Sequence, residues 1–407
     1  MNIKQFNNYF FIYLFLLFLF GIFWLHIKHL VGNDSTISEW FINYQGGFTR
    51  RGLAGEICFQ IAKYFDLSLR FVIFLFQSFI YTIFLILIYR FFRNIPTNLI
   101  IILSILTPIF LLYPVAEVEV LARKETFVFI AFLIFLNISN SNYSSNLPLY
   151  YVFFILPIFC LIWEPVVFFF PLMASVLIIR LRNDQLIKLL SKIIVCFIPA
   201  LVVSAIAAIM LMSPENHMIM ANSLKENFGE DCYMSCAFML HKASIAKQFE
   251  YTNDLYAPYV FIRYFLIILV GFAPFFLLSF NSKLKIKILF FKNFNNLLYP
   301  VLIILTPILV LFSMGTDWGR WVNISYTFII LFYFYLFKNN LLEVNLDKIT
   351  RKMSFFDNKK VLLILCFIIY AFGWSPQTGM TGDVSSFPGY RIPYKSIKML
   401  YYQINNN

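Results

Sequence analysis

Charge is what this sequence has least of. Only 13% of its 407 residues are Asp, Glu, Lys or Arg, about half the share found in an ordinary soluble domain. With 61% hydrophobic and 20% aromatic residues, 52 of them Phe, a water-soluble fold would have no use for so much apolar surface. Length alone would suggest two or three soluble domains. Hydropathy overrules length and implies one all-α, polytopic membrane domain over residues 1–407.

Other absences narrow the function. There is no Walker motif, dinucleotide fingerprint, HExxH pair or nucleophile elbow, which argues against an ATP-driven pump and a soluble-cofactor enzyme. No cofactor and no metal are expected. The six cysteines lack zinc-type spacing. Cys58, Cys160, Cys196 and Cys366 sit in or beside apolar segments and read as small core residues. Cys232 and Cys236 share the polar stretch CYMSC: in an oxidising compartment they can pair, and otherwise they are two free thiols. There is no low-complexity linker, soluble domain or convincing internal repeat. The net charge of +12 comes without a basic water-soluble module, which argues against nucleic acid as a partner. The first apolar stretch, residues 10–30, is too long for a signal-peptide core and lacks a small-residue cleavage site, so it reads as a retained membrane helix.

At about 20 apolar residues per crossing, spans are expected near 9–31, 71–90, 98–115, 126–136, 150–163, 165–179, 193–212, 258–280, 298–314, 321–338 and 361–375, about eleven in all. The pair around Trp163-Glu164-Pro165 could also be one kinked helix. A cytoplasmic N-terminus puts the basic loops RFFRN, RLRNDQLIK and NSKLKIKILFFK and the lysine-rich segment 338–360 on the inside, as the positive-inside bias requires. The outside then receives residues 31–70, 116–125, the Glu164 junction, the long loop 213–257, residues 315–320 and the tail 376–407. Acids and arginines concentrate on that outer face.

Four charged clusters stand out. In GGFTRRGLAGE, Gly46 and Gly47 allow tight backbone turns. Thr49 is a candidate N-cap for an amphipathic interfacial helix over about 50–66, with Leu53, Ile57, Ile61 and Phe65 on one face and Glu56, Gln60 and Lys63 on another. A helix N-terminus with Arg50 and Arg51 is suited to phosphate; the plainer reading is contact with lipid headgroups. The second cluster is Glu117, Glu119, Arg123, Lys124 and Glu125, too crowded for one Glu119–Arg123 helix pair. Glu164, in WEP between apolar runs, is either a functional intramembrane acid or the partner of an arginine that locks helices together. Asp317 and Arg320, in GTDWGRW, share a helix face, beside Trp318 and Trp321. His241, a weak candidate base, and Lys242, Asp383 and Arg391 are polar residues where polar residues are expected.

Arginines beside carboxylates at the outer edge of a helical bundle suit transfer of a glycosyl group from a lipid-linked diphosphate. Guanidiniums would hold the leaving diphosphate, a carboxylate would take the acceptor's proton, and aromatic rings would stack on sugars. The architecture resembles the bacterial O-antigen and capsule repeat-unit polymerases, and more broadly the GT-C multispanning glycosyltransferases, with GGFTRRGLAGE, ARKE and GTDWGRW as local support. The resemblance implies polymerisation of undecaprenyl-diphosphate-linked glycan at the outer face of a bacterial inner membrane, with a flippase and a chain-length regulator as pathway partners. It also implies an acid in the first outer loop, for which Glu39 and Glu56 qualify. The paired-acid motif of metal-dependent members is missing. The site expected is Arg50, Arg51, Arg123, Lys124 and Arg320 for the diphosphate, one of Glu56, Glu117, Glu164 and Asp317 as base, and Trp163, Trp318 and Trp321 for the sugars. The rival readings are a flippase or other transporter, a transferase adding one sugar from a polyprenyl phosphate, and a non-catalytic envelope partner.

Overall fold

The computed structural model describes residues 2–30, 35–117, 119–140, 143–144, 146–210, 212–240, 245–286, 289–345 and 359–379. It is predominantly helical. Four helices are long and apolar enough to cross a membrane: Ile3–Leu30, Leu69–Phe92, Leu186–Ile209 and Trp318–Lys338. A fifth crossing can be made by Pro258–Gly271 and Ala273–Phe280, which bend by 56° at their junction. These candidate spans point to a multi-pass membrane protein. Exposed Ile194, Ile198, Leu201, Val202 and Ile206 on the Leu186–Ile209 helix form the apolar exterior that lipid requires.

Most of the other expected spans arrive as short pieces, and proline is a recurrent reason. The stretch expected over 298–314 divides into Leu298–Ile304, a 3-10 turn at Thr306–Ile308 containing Pro307, and Leu309–Met314. The junction at Glu164 is not a smooth kink. Leu156–Ile162 ends at Trp163, whose backbone is extended (φ −154°, ψ 93°), and Pro165 sits in the first turn of a 3-10 segment, Glu164–Phe169, where a missing N–H costs little. A two-stranded antiparallel ladder, Ser282–Leu284 with Leu342–Val344, departs from the all-α expectation.

Contacts group the chain into two compact units. One comprises Met1–Phe20, Asn94–Val120 and Phe249–Asn407; the other comprises Gly21–Arg93 and Leu121–Gln248. In the first unit the Trp318–Lys338 helix is buried from Trp318 to Leu336. Beside it the chain leaves the helix Leu99–Ile105 and runs irregularly to Tyr113, and residues 107–112 are buried. Non-helical backbone at such depth must find internal partners. Asn323 Nδ2 donates to the carbonyls of Ile109 (2.8 Å) and Phe110 (3.0 Å), and Tyr326 Oη donates to Ser104 O (2.6 Å).

In the second unit the Leu69–Phe92 helix packs against Gly52–Tyr64 and Glu125–Ile138. The Gly52–Tyr64 helix falls where the interfacial helix was expected, with two corrections. Its N-cap is Arg51, not Thr49. Its protein-facing stripe is Gly52, Ala54, Gly55, Cys58, Phe59 and Ala62, while Ile57 and Phe65 of the apolar stripe are exposed. Small residues let the helix approach the 39–42 segment closely: a Cβ at Gly55 would strike the Trp40 and Ile42 carbonyls. The long polar loop holds the helix Pro214–Phe228, capped by Ser213 Oγ, opened by Pro214 and ended by left-handed Gly229 (φ +68°).

Loops assigned to the same side meet within each unit. In the first unit the ladder joins residues 282–284 to 342–344, and Asn7 bonds Asn94 (2.9 Å). In the second, Arg180 reaches Tyr143 O (2.6 Å), Arg70 pairs with Glu230 (2.6 Å), and Ser235 N donates to Ser38 Oγ (3.3 Å).

Gly55→Ala therefore should destabilise the detergent-solubilised protein by about 1–3 kcal/mol through overpacking, read as a lowered melting temperature. Ile57→Ala, on the outward face of the same helix, should stay within about 0.5 kcal/mol. Equal effects would contradict the inward stripe.

Candidate functional site

The second unit gathers one dense charged cluster, and its centre is Arg51. Arg51 has left-handed backbone (φ 61°, ψ 12°), a conformation that costs a non-glycine residue about 1–2 kcal/mol. Glycine would fit more cheaply, so the side chain must justify the position. Its guanidinium grips Glu164 through Nε (2.9 and 3.1 Å) and Nη2 (3.0 Å). Its Nη1 lies 3.6 Å from Glu39 Oε1. Its carbonyl accepts from Lys124 Nζ (2.5 Å). Ala122, next to Arg123, is a second non-glycine residue at positive φ (49°). Strained backbone of this kind persists where surrounding contacts over-determine it, often at functional sites.

Glu39 lies 1% exposed between Arg51 and Arg123, whose Nη1 stands 4.0 Å from Glu39 Oε2. Lys124 is fully buried and Glu125, in the first turn of its helix, nearly so. Burial lowers the Lys124 ammonium to about 8, with Glu39 opposing that shift and Arg51 adding to it. Burial alone would raise the Glu164 carboxyl, but the charge and hydrogen bonds of Arg51, with Arg50 behind it, outweigh burial and hold it below its ordinary value. Arg50 differs from its neighbours. Burial first, then the Arg51 charge, pulls its guanidinium down, and among the described residues it has no hydrogen-bond or salt-bridge partner. Arg50, Arg51, Arg123 and Lys124 thus gather round the two acids Glu39 and Glu164.

The other expected residues fall as follows. Glu56 is a clamp: its carboxylate accepts from Tyr44 N (2.8 Å), Gln45 Nε2 (2.8 Å) and Gln60 Nε2 (2.6 Å), fixing the turn before the helix. Glu164, held ionised by Arg51, is a poor proton acceptor and a good anchor; of the two readings of this acid, the pair with an arginine is the one observed. Trp163 is fully buried, which leaves it no open ring face for a sugar. Glu39, which the resemblance offered beside Glu56 but which was not among the expected site residues, sits between Arg51 and Arg123. Its signal in the sequence was only an acid among Trp40, Phe41 and Ile42.

In the first unit, Asp317 pairs with Arg320 (3.0 Å), and Arg320 lies over the Trp321 ring (5.1 Å). Gly319 N donates to Thr378 O (3.1 Å). Trp318 is enclosed by Tyr256, Phe261, Tyr264 and Phe312, and its indole N–H donates to Phe312 O. Its faces are taken, and Trp321 is also buried, so neither indole is a ready sugar platform. Glu117 is partly buried and Glu119 exposed. His241, Lys242, Asp383, Arg391 and nearly all of the expected outer tail lie outside the described residues.

Glu164→Gln removes the charge that compensates Arg51 and should cost roughly 2–3 kcal/mol of stability at neutral pH. Because the folded carboxyl lies below its unfolded value, this contribution is full above about pH 4.3 and fades as pH falls through the folded value. Thermal melts across that window should show the wild type converging on the variant in acid; parallel curves would contradict the pairing. No family model, curated protein or solved structure matches the chain.

Proposed function

We propose that the protein transfers a glycan from an undecaprenyl-diphosphate carrier onto a second lipid-linked repeat unit, the polymerising step of O-antigen or capsule assembly. The observation that carries this reading is Arg50, a partly buried guanidinium without a hydrogen-bond or salt-bridge partner among the described residues, beside an Arg51 locked by Glu39 and Glu164. As the acceptor's hydroxyl oxygen bonds to the sugar's anomeric carbon, the bond from that carbon to the diphosphate oxygen breaks, the diphosphate takes the electron pair, and the hydroxyl's proton passes to the departing diphosphate or to water. Fixed guanidiniums stabilise that charge without moving. Glu39 and Glu164 position them. The activated lipid supplies the energy, so no nucleotide site is needed.

The reading places about eleven crossings in a bacterial inner membrane, with the cluster on the outer side. The Cys232–Cys236 disulfide supports that side for residues 213–240, and this loop touches the segment that carries Glu39 through Ser235 and Ser38. The exposed stripe of the Gly52–Tyr64 helix would rest in lipid at the interface, where the carrier's head group lies. A flippase and a chain-length regulator would act in the same pathway.

A transport reading has broken helices behind it, at 106–112, at Trp163–Pro165 and at the 56° bend between Pro258–Gly271 and Ala273–Phe280, since interrupted helices build transporter sites. The carbonyls of Ile109 and Phe110, however, already accept from Asn323, which speaks for structure at the first of these breaks.

Deletion of the gene should remove the polysaccharide ladder on a gel and leave single repeats; loss of all product would favour a flippase, and an unchanged ladder would defeat both. In vitro, Arg50→Ala should fold normally and bind undecaprenyl diphosphate roughly ten- to hundredfold more weakly. Binding by the wild type should also weaken as pH rises through about 8, where Lys124 loses its proton, and Lys124→Arg should abolish that alkaline decline. Wild-type affinity in Arg50→Ala would reject the assignment.

A further inference from the structure

A second group of reactive side chains lies in the long polar loop. Helix Pro214–Phe228 carries His217, which is buried, and the turn beyond it carries the Cys232–Cys236 disulfide. His217 Nε2 points at both: it lies 3.5 Å from Cys232 Sγ and 3.3 Å from Cys236 O. The Nε2 and the two sulfurs all fall within 4.8 Å of one another. As a structural disulfide the pair needs no imidazole beside it. The plain role for His217 is a hydrogen bond to the Cys236 carbonyl, but that bond does not require Nε2 to face a sulfur.

We propose that His217, Cys232 and Cys236 form a redox-gated site for a soft divalent cation of the zinc class, closed while the disulfide stands and open once it is reduced. The geometry is favourable. Zinc bonds of about 2.1 Å to nitrogen and about 2.3 Å to sulfur, at a tetrahedral angle, set those ligands about 3.5 Å apart, and the His217–Cys232 separation is already 3.5 Å. The two sulfurs need only part to about 3.8 Å, across Cα atoms 5.3 Å apart. Histidine and two cysteines leave a fourth position for water or another ligand. Two ligands come from a short turn at a spacing that zinc pairs use, and the third from a capped helix fifteen residues upstream.

The chemistry balances with a dithiol as reductant. Its thiolate attacks the Sγ of Cys232, the more exposed of the two cysteines, the S–S bond breaks, and Cys236 leaves as thiolate. The reductant's second thiol displaces Cys232 and closes its own disulfide, so the protein gains two electrons and two protons. The metal then displaces both protons as it binds the thiolates. In the reverse exchange the two thiolates pass two electrons to an external disulfide, which leaves as a dithiol; the Cys232–Cys236 bond re-forms and the metal is released. Because Ser235 between the cysteines donates to Ser38 Oγ, next to Glu39, the state of this turn is felt by the segment that holds the arginines.

The test uses the full chain in detergent, reduced with a phosphine so that no thiol competes for metal, and titrated with Co²⁺. Reduced wild type should bind one Co²⁺ with a thiolate-to-cobalt charge-transfer absorption, displaced by Zn²⁺ and lost on reoxidation; the oxidised protein should show none. His217→Ala should weaken binding at least about tenfold, and Cys232→Ser with Cys236→Ser should abolish the absorption, excluding the exposed Cys366 as its source. No thiolate absorption in reduced wild type, or the same absorption in the double serine variant, would overturn the proposal.

Discussion

The grip of Arg51 on Glu164 is the constraint on which the second unit turns. It ties residues 113 apart in sequence: the start of the Gly52–Tyr64 helix and the break after Leu156–Ile162. Each end is costly alone. A guanidinium in left-handed backbone is strained, and a carboxylate beside Pro165 between apolar runs is poorly solvated. Together they satisfy each other, and Glu39 and Lys124 close round them. A buried cluster of this kind is a poor way to gain stability, and Arg50 at its side has no hydrogen-bond or salt-bridge partner among the described residues, though it feels the Glu164 charge.

The rest of the fold shows two ways of keeping irregular backbone inside a membrane protein. In the first unit, polar side chains on a wholly buried helix serve the broken 106–112 stretch, as Asn323 and Tyr326 do for Ile109, Phe110 and Ser104. In the second, glycine and alanine let backbone approach backbone, as Gly55 does at Trp40 and Ile42. The first keeps backbone acceptors occupied where water is absent; the second lets two segments close together with no side chain between them.

Much of this was legible in the sequence. Hydropathy located the long helices because crossing a bilayer demands length and apolarity together. The Gly52–Tyr64 helix was visible from its period, and the charged residues worth watching from their rarity. Arg51, Arg123, Lys124 and Glu164 do meet. What the sequence could not convey was breakage and orientation. Pro108 and Pro307 lie within expected spans that break, whereas the break at Pro165 was expected; whether a proline kinks a helix or ends it depends on the partners its neighbours find. Of the Leu53–Ile57–Ile61–Phe65 period, Ile57 and Phe65 are exposed and Leu53 and Ile61 half-buried, since the small stripe, not the large one, packs inward. Trp163 and Trp318 were read as platforms, whereas such large rings are also what fills a core. Glu39 carried almost no local signal, because its importance comes from Arg51 and Arg123 arriving from elsewhere in the chain.

The functional account reduces to one contact, a lipid-borne diphosphate against Arg50 at the side of the Arg51–Glu39–Glu164 cluster. The most direct measurement is an experimental structure of the protein with undecaprenyl diphosphate bound. The account expects the phosphates at hydrogen-bond distance from the Arg50 guanidinium, with Arg51 still on Glu164 and the lipid tail leaving along the exposed face of the Gly52–Tyr64 helix. Diphosphate density remote from residues 39–51, with Arg50 unoccupied, would contradict it.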